Sequence, residues 1–253
     1  MDSNFVDFRG KKVLVAGASS GIGRQISITL NNYGATIIAV ARSEDKLQDL
    51  VSNLHESNNK YYSADLSATD NIESLVKRIT SENGPLDGFV YSAGISYDRP
   101  LSMCKPSVVQ QMFSINFFGF YEMVRVLTKK KNYNPGFSIV GISSAAADGA
   151  NKSQSVYSAS KAAMDASIKV IAQEVGPKGI RINTIRPGMI NTDMYKRYQS
   201  EFGEAGDQLI LSRQFLGIGE TVDIANAVCF LLSEKAKFVT GIHMSVDGGF
   251  RAC

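Results

Sequence analysis

Short apolar runs alternate with longer stretches whose apolar residues recur at helical spacing. Lys11–Ala16 (KKVLVA) reads as a buried strand and Thr36–Ala41 (TIIAVA) as a second, rich in β-branched residues. Between them Gly21–Tyr33 reads as a helix that Gly34 ends. Ser43 stands where it can cap the next helix, with Glu44 and Asp45 in its first turn. Lys60–Ser63 reads as a third strand, and Ser67 with Asp70 predicts a capping box opening a helix to Glu82. Gly88–Ser92 is a fourth strand, followed by a long helix from Pro106 to about Thr128. Phe137–Ser143, Arg181–Arg186 and Met244–Val246 complete the expected strands, with helices over Ser155–Val175 and Thr221–Leu232.

Such alternation predicts an α/β, doubly wound Rossmann fold: a mostly parallel sheet of about seven strands, covered on both faces. No linker, repeat or low-complexity segment divides residues 1–253, so one dinucleotide-binding and catalytic domain is expected. The least regular part is Asn191–Gly219, either a substrate lid or an ordinary helical insertion.

Composition narrows the classes. The net charge of +3 is too small for a nucleic-acid binder, and Lys129–Lys131 reads as a solvated helix end that complements the helix dipole. Three widely spaced cysteines without a CxxC, and two histidines, leave little for a disulfide framework or a metal site. Met1–Gly10 does not read as a signal peptide, and no run reaches membrane-spanning length; a cytoplasmic location is expected.

Gly17, Ser19, Ser20, Gly21, Ile22 and Gly23 form a glycine-rich turn between the first strand and the first helix. Glycines there permit a tight turn and close approach of a pyrophosphate to the free N–H groups of the helix end. A different nucleotide or a methyl-donor cofactor would use the same turn. The second strand ends in Ala41 with Arg42 and Ser43 after it, where an NAD-binding chain would carry a carboxylate. Arg42 suits the 2′-phosphate of NADP(H) more than NAD(H); alternatively it is a surface arginine.

Tyr157 and Lys161 are four residues apart, on one helix face. Alone, Tyr157 would read as a half-buried core tyrosine. Ser144 closing the preceding strand, Asn116 within the long helix and Pro187-Gly188 after the sixth strand would meet it at the carboxyl edge of the sheet.

From Gly17 to Gly249 this ordered set resembles the short-chain dehydrogenase/reductase family: Gly17-x-x-x-Gly21-x-Gly23, Asp65, Ala93-Gly94, Asn116, Ser144, Tyr157-x-x-x-Lys161 and Pro187-Gly188-x-Ile190-x-Thr192. The resemblance implies a proton delivered by Tyr157 as hydride arrives from a nicotinamide. It implies that Lys161 favours the phenolate and bonds the nicotinamide ribose, that Ser144 holds the substrate oxygen, and that Asn116 anchors a relay water. Without the resemblance, Asn116 would read as a polar residue that bends a helix. Ile190 and Thr192 would meet the nicotinamide half and Asp65 the adenine, with Leu66 and Ser92 beside them. Two positions depart from the family pattern: Ala16 replaces the usual Thr and Ser92 the usual Asn, both of which brace the cofactor loops.

Length and the ending Val239-Thr240-Gly241 with Val246-Asp247-Gly248-Gly249 are most similar to bacterial 3-oxoacyl-acyl-carrier-protein reductases. The implied activity is NADPH-dependent reduction of a ketone to a secondary alcohol, on an acyl thioester or on a sugar, polyol or steroid-like substrate. An acidic carrier protein would seek basic residues at the mouth, for which Lys129–Lys131 and Lys178 stand as candidates. The resemblance further implies a homotetramer. A non-catalytic NADP(H) sensor of the same fold is the competing class.

Overall fold

The computed structural model describes residues 6–55, 58–149 and 151–252, so Met1 to Phe5 and Cys253 lie outside the described residues. Seven strands form one sheet: β1 (Lys12–Ala16), β2 (Thr36–Ala41), β3 (Lys60–Ser63), β4 (Leu86–Tyr91), β5 (Tyr133–Ile142), β6 (Arg181–Pro187) and β7 (His243–Val246). Their order is β3-β2-β1-β4-β5-β6-β7, and every pairing is parallel.

The central strands β1, β2 and β4 are largely apolar and buried because both faces are covered. Successive side chains point to opposite faces. Val13, Val15, Ile37 and Ala39 meet Ile26 and Leu30 of α1 (Gly21–Asn32), Leu47 and Leu50 of α2 (Glu44–Ser52), and Ile224 and Val228 of α8 (Thr221–Leu232). Leu14, Ile38 and Val40 meet Val76 of α3 (Ile72–Asn83), Met123 of α5 (Gly119–Leu127) and Met164 and Ile168 of α6 (Ser155–Val175).

The expected long helix runs from α4 (Pro106–Phe113) through one wide π turn (Ser114–Phe118) into α5. Tyr91 donates its hydroxyl to the Ile115 carbonyl at 2.5 Å, replacing a bond that regular winding would supply. Gly119 follows because a Cβ there would stand 2.4 Å from the Leu66 carbonyl oxygen.

Two expectations change. Ser67 and Asp70 form no capping box: Ser67 donates to Asp65 at 2.7 Å, and α3 begins only at Ile72 after a 3₁₀ turn. A bond between neighbours two residues apart captured the hydroxyl first. Ser43 does occupy the N-cap of α2, but its side chain makes no capping bond. The irregular segment contains α7 (Asp193–Leu211), broken at Gly203 with φ +57°.

Candidate active site

The strand order reverses direction between β1 and β4, which opens a crevice at the carboxyl edge of the sheet. A cleft of about 320 Å³ lies there, and Gly17, Ser19, Ser20, Gly21 and Ile22 form one wall. Arg42, Ser43, Leu66, Ser92, Ala93 and Gly94 extend it along the adjoining strand ends. Ser144, Tyr157, Lys161, Pro187, Gly188, Ile190 and Thr192 complete it. Gly23, Asp65 and Asn116 do not line the cleft. Gly23 is needed behind the turn, where a Cβ would stand 2.2 Å from the Gly17 carbonyl oxygen. Asp65 is turned to Ser67, whose N–H and hydroxyl both bond it, and these bonds hold its pKa below the usual value.

The turn has the shape a pyrophosphate requires. Gly17 sits at φ +84° with a hypothetical Cβ 2.5 Å from the Ala93 nitrogen, so backbone fills the space that a side chain would need. Ser20 begins α1 without a side-chain cap, which leaves its first N–H groups for an anion. These observations fit a nicotinamide dinucleotide. At the two departures the β1–β4 ladder continues, with Ser92 N–H donating to the Ala16 carbonyl at 2.8 Å.

Asn116 is fully buried in the π turn. Its side chain exchanges two bonds with the Ile95 backbone, at 2.8 and 2.9 Å, and donates to Ser160 Oγ at 2.9 Å. Ser160 lies on α6 between Tyr157 and Lys161, so Asn116 braces the helix that carries both. Lys161 is 4% exposed and donates from Nζ to the Ile142 carbonyl at 2.7 Å. Burial brings its pKa down to about 8, against the opposing pull of Asp165 one turn along. Burial pushes the Tyr157 phenol up; a hydrogen bond with Ser144 works the other way, and the charge of Asp98 adds to the rise. The neutral phenol is therefore the resting form in the free protein, ready to give a proton.

A second cavity of about 360 Å³ adjoins the first, and Ser144, Tyr157, Pro187 and Gly188 line both. Sequence reasoning did not single out Met194 and Arg197 of α7, which also line both cavities. Nor did it find Asp98, Tyr198 or Phe250 in the second. The signal for Met194, Arg197 and Tyr198 was the irregularity of Asn191–Gly219, because their positions follow from where α7 packs; Asp98 and Phe250 lie outside that segment and carried none.

Lys129–Lys131 and Lys178 do not stand at this mouth. They lead into the starts of β5 and β6, at the opposite edge of the parallel sheet from the site, and Lys129 pairs with Glu73 at 2.5 Å. Arg99 and Arg197 line the second cavity instead.

A parallel seven-stranded sheet with this cleft and a Tyr–Lys pair at its floor defines a nucleotide-dependent oxidoreductase, and the chain belongs to the short-chain dehydrogenase/reductase family. The family profile described as Enoyl-(Acyl carrier protein) reductase matches residues 17–251. The chain is 34% identical to L-xylulose reductase of Caenorhabditis elegans over 256 residues, covering 99% of both chains. It is also 34% identical to 3-oxoacyl-[acyl-carrier-protein] reductase of Escherichia coli (strain K12) over 245 residues, covering 96% of this chain and 98% of that one. A short-chain type dehydrogenase/reductase from Mycobacterium ulcerans superposes with a TM-score of 0.89 at 30% identity, covering 98% of this chain and 92% of that one. The protein is thus an oxidoreductase acting on carbonyl or alcohol groups with a nicotinamide cofactor. No described helix is long and apolar enough to cross a membrane.

Proposed function

We propose that residues 1–253 form one catalytic domain that reduces a ketone to a secondary alcohol with NADP(H), Tyr157 supplying the proton. The observation that carries this reading is the seam: Tyr157 and Ser144 line both the dinucleotide cleft and the second cavity. A carbonyl at the seam touches both groups while its substituents occupy the second cavity. The nicotinamide, when bound, supplies the hydride. Ser144 donates a hydrogen bond to the substrate oxygen and stabilises the charge developing there. Tyr157 transfers its proton to the same oxygen. Lys161 offers a positive charge below about pH 8, which favours the phenolate left behind. Asn116 holds the Ile95 segment and α6 in place, and so the walls of the expected proton relay.

NADP(H) is preferred over NAD(H) because Arg42 lines the cleft and no carboxylate ends β2. Met194 and Arg197 support α7 as a lid over both cavities. The relatives' names support two substrate classes, a 3-oxoacyl thioester and a keto sugar. A homotetramer is supported by exposed Phe118, Tyr121 and Val170, apolar side chains that other copies would cover. A reducing cytoplasm suits the free thiols Cys104 and Cys229.

The test is NADPH oxidation followed by absorbance over ketones, keto sugars and acyl thioesters. Tyr157→Phe is expected to bind NADPH normally and lose roughly 100-fold or more in kcat. Near-wild-type turnover by the variant refutes the assignment.

A further inference from the structure

The second cavity has two kinds of lining. Ser144, Tyr157 and Gly188 line it together with the dinucleotide cleft, and so mark the seam; Ile210 and Phe250 line the second cavity alone. With a carbonyl oxygen at Tyr157 and Ser144, the substituent that fills this cavity extends away from the seam, towards these apolar walls. Ile210 is 1% exposed and Phe250, the larger of the two, 8%.

Phe250 follows β7, and its segment is held in place from several sides. Arg213, just past the end of α7, lays its guanidinium over the Phe250 ring at 4.0 Å. Leu216 N–H donates to the Gly248 carbonyl at 3.1 Å, and Phe250 N–H closes a turn on the Asp247 carbonyl at 3.0 Å. Gly188 of the seam lies so close to this turn that a Cβ on it would stand 2.9 Å from the Asp247 Cα. Arg251 pairs with Asp148, in the short helix after Ser144. The segment is thereby tied to the end of α7, to the seam and to the Ser144 loop. A wall held in this way does not yield to a longer substituent, because close-packed side chains take up extra methylenes only with strain.

We infer that Phe250 is a specificity-determining residue: it is the fixed end wall of the second cavity and limits the length of the substituent that a substrate ketone carries beyond its carbonyl. The inference rests on the carbonyl-reductase reading and is independent of whether the other substituent is a thioester or a polyol. Up to the limit, each methylene of an apolar substituent gains by leaving water, about fourfold apiece; past it, the next methylene meets the ring. Removing the ring lengthens the limit and enlarging it shortens the limit, so the two kinds of substitution act in opposite directions.

The experiment measures kcat/KM for NADPH-dependent reduction of the straight-chain methyl ketones from butan-2-one to decan-2-one by the full chain and its Phe250→Ala and Phe250→Trp variants. NADPH binding, followed by fluorescence, verifies that each variant is folded, since Phe250 does not line the dinucleotide cleft. In the wild type kcat/KM is expected to rise with chain length to an optimum and then fall. Phe250→Ala is expected to move the optimum about two carbons longer and to raise kcat/KM for the longer ketones, relative to butan-2-one, by about 15-fold, as two newly buried methylenes require. Partial unfolding cannot produce such a gain. Phe250→Trp is expected to move the optimum to shorter chains, which tests the inference even where the alanine variant fails to fold. An optimum unmoved in both variants, or losses equal at every chain length, overturns the inference and leaves the reductase reading standing. A wild type that binds NADPH but reduces neither these ketones nor keto sugars nor acyl thioesters overturns both.

Discussion

Arg186 ties together three segments that carry the site, and its removal has a pH signature. Its Nε donates to Asp165 on α6 at 2.6 Å and its Nη1 to Asp148 at 2.5 Å; Arg251, from the end of the chain, also pairs with Asp148. Asp148 closes the short helix that follows Ser144, and Asp165 lies one turn beyond Lys161. The Asp165 side chain is only 4% exposed. Arg186→Met keeps the apolar stem but leaves that carboxylate buried, with Thr184 Oγ1 at 2.7 Å as its remaining close donor. Breaking a buried pair in this way costs about 3–5 kcal/mol, which for a chain of this size lowers Tm by roughly 10 °C.

His243 then modulates the loss. Its Nδ1 is 3.5 Å from Asp165 Oδ1, and burial, the largest influence, lowers its pKa in the native protein; Asp165 and Asp148 oppose this, while Arg186 and Lys169 reinforce it. In the wild type, neutral His243 contributes stability above its unfolded pKa, and this is lost as pH falls. In Arg186→Met the repulsion disappears and Asp165 lacks its cation, so the folded pKa of His243 rises. A raised pKa contributes stability that is full below the unfolded value and lost as pH rises through the folded one. The deficit must therefore be largest near pH 8 and shrink towards pH 5.5, by up to about 1.4 kcal/mol for each unit by which the two folded pKa values differ. Denaturant unfolding of both proteins at the two pH values measures it. A deficit below about 1 kcal/mol, or one equal at both pH values, refutes the reasoning.

Two further outcomes are expected. Because burial brings Lys161 down to about 8, kcat/KM for ketone reduction should fall above that pH; Lys161→Arg should move the limb upward, since a guanidinium keeps its charge, and a wild-type profile flat to about pH 10 contradicts this. Arg42→Ala should raise the Kd for NADPH about tenfold or more, with little change for NADH, as loss of a charge-assisted contact to a 2′-phosphate requires; equal changes in titrations of both cofactors show that another residue reads that phosphate.

Much of the sheet was legible because the central strands β1 and β2 are buried on both faces and so appear as nearly unbroken apolar runs. β2 and β3 match their expected bounds, and so do α6 and α8. The Gly17–Gly23 turn was legible for a related reason: its function needs the absence of side chains, and absence is visible in a sequence. Tyr157, Lys161 and Ser144 were legible as an ordered set, and the fold brings them to one cleft.

Other features depend on atoms that meet only after folding. In the π turn at Asn116 the Ile115 carbonyl accepts from Tyr91 of β4, and no local pattern encodes that partner. Ser67 was legible as a hydrogen-bonding residue, but its choice of Asp65 over a helix end was decided by the turn after β3. The basic run at Lys129–Lys131 was visible as charge, but its edge of the sheet was not; strand direction sets it far from the mouth. Asp98 shows the same division. Its sequence neighbours say nothing of its surroundings, and only the folded chain puts it on the wall of the second cavity with Tyr157. Local patterns determine which elements form and which backbone positions must stay bare, because those depend on neighbours in the chain. Recognition depends on which distant side chains share a cavity, and that belongs to the tertiary structure.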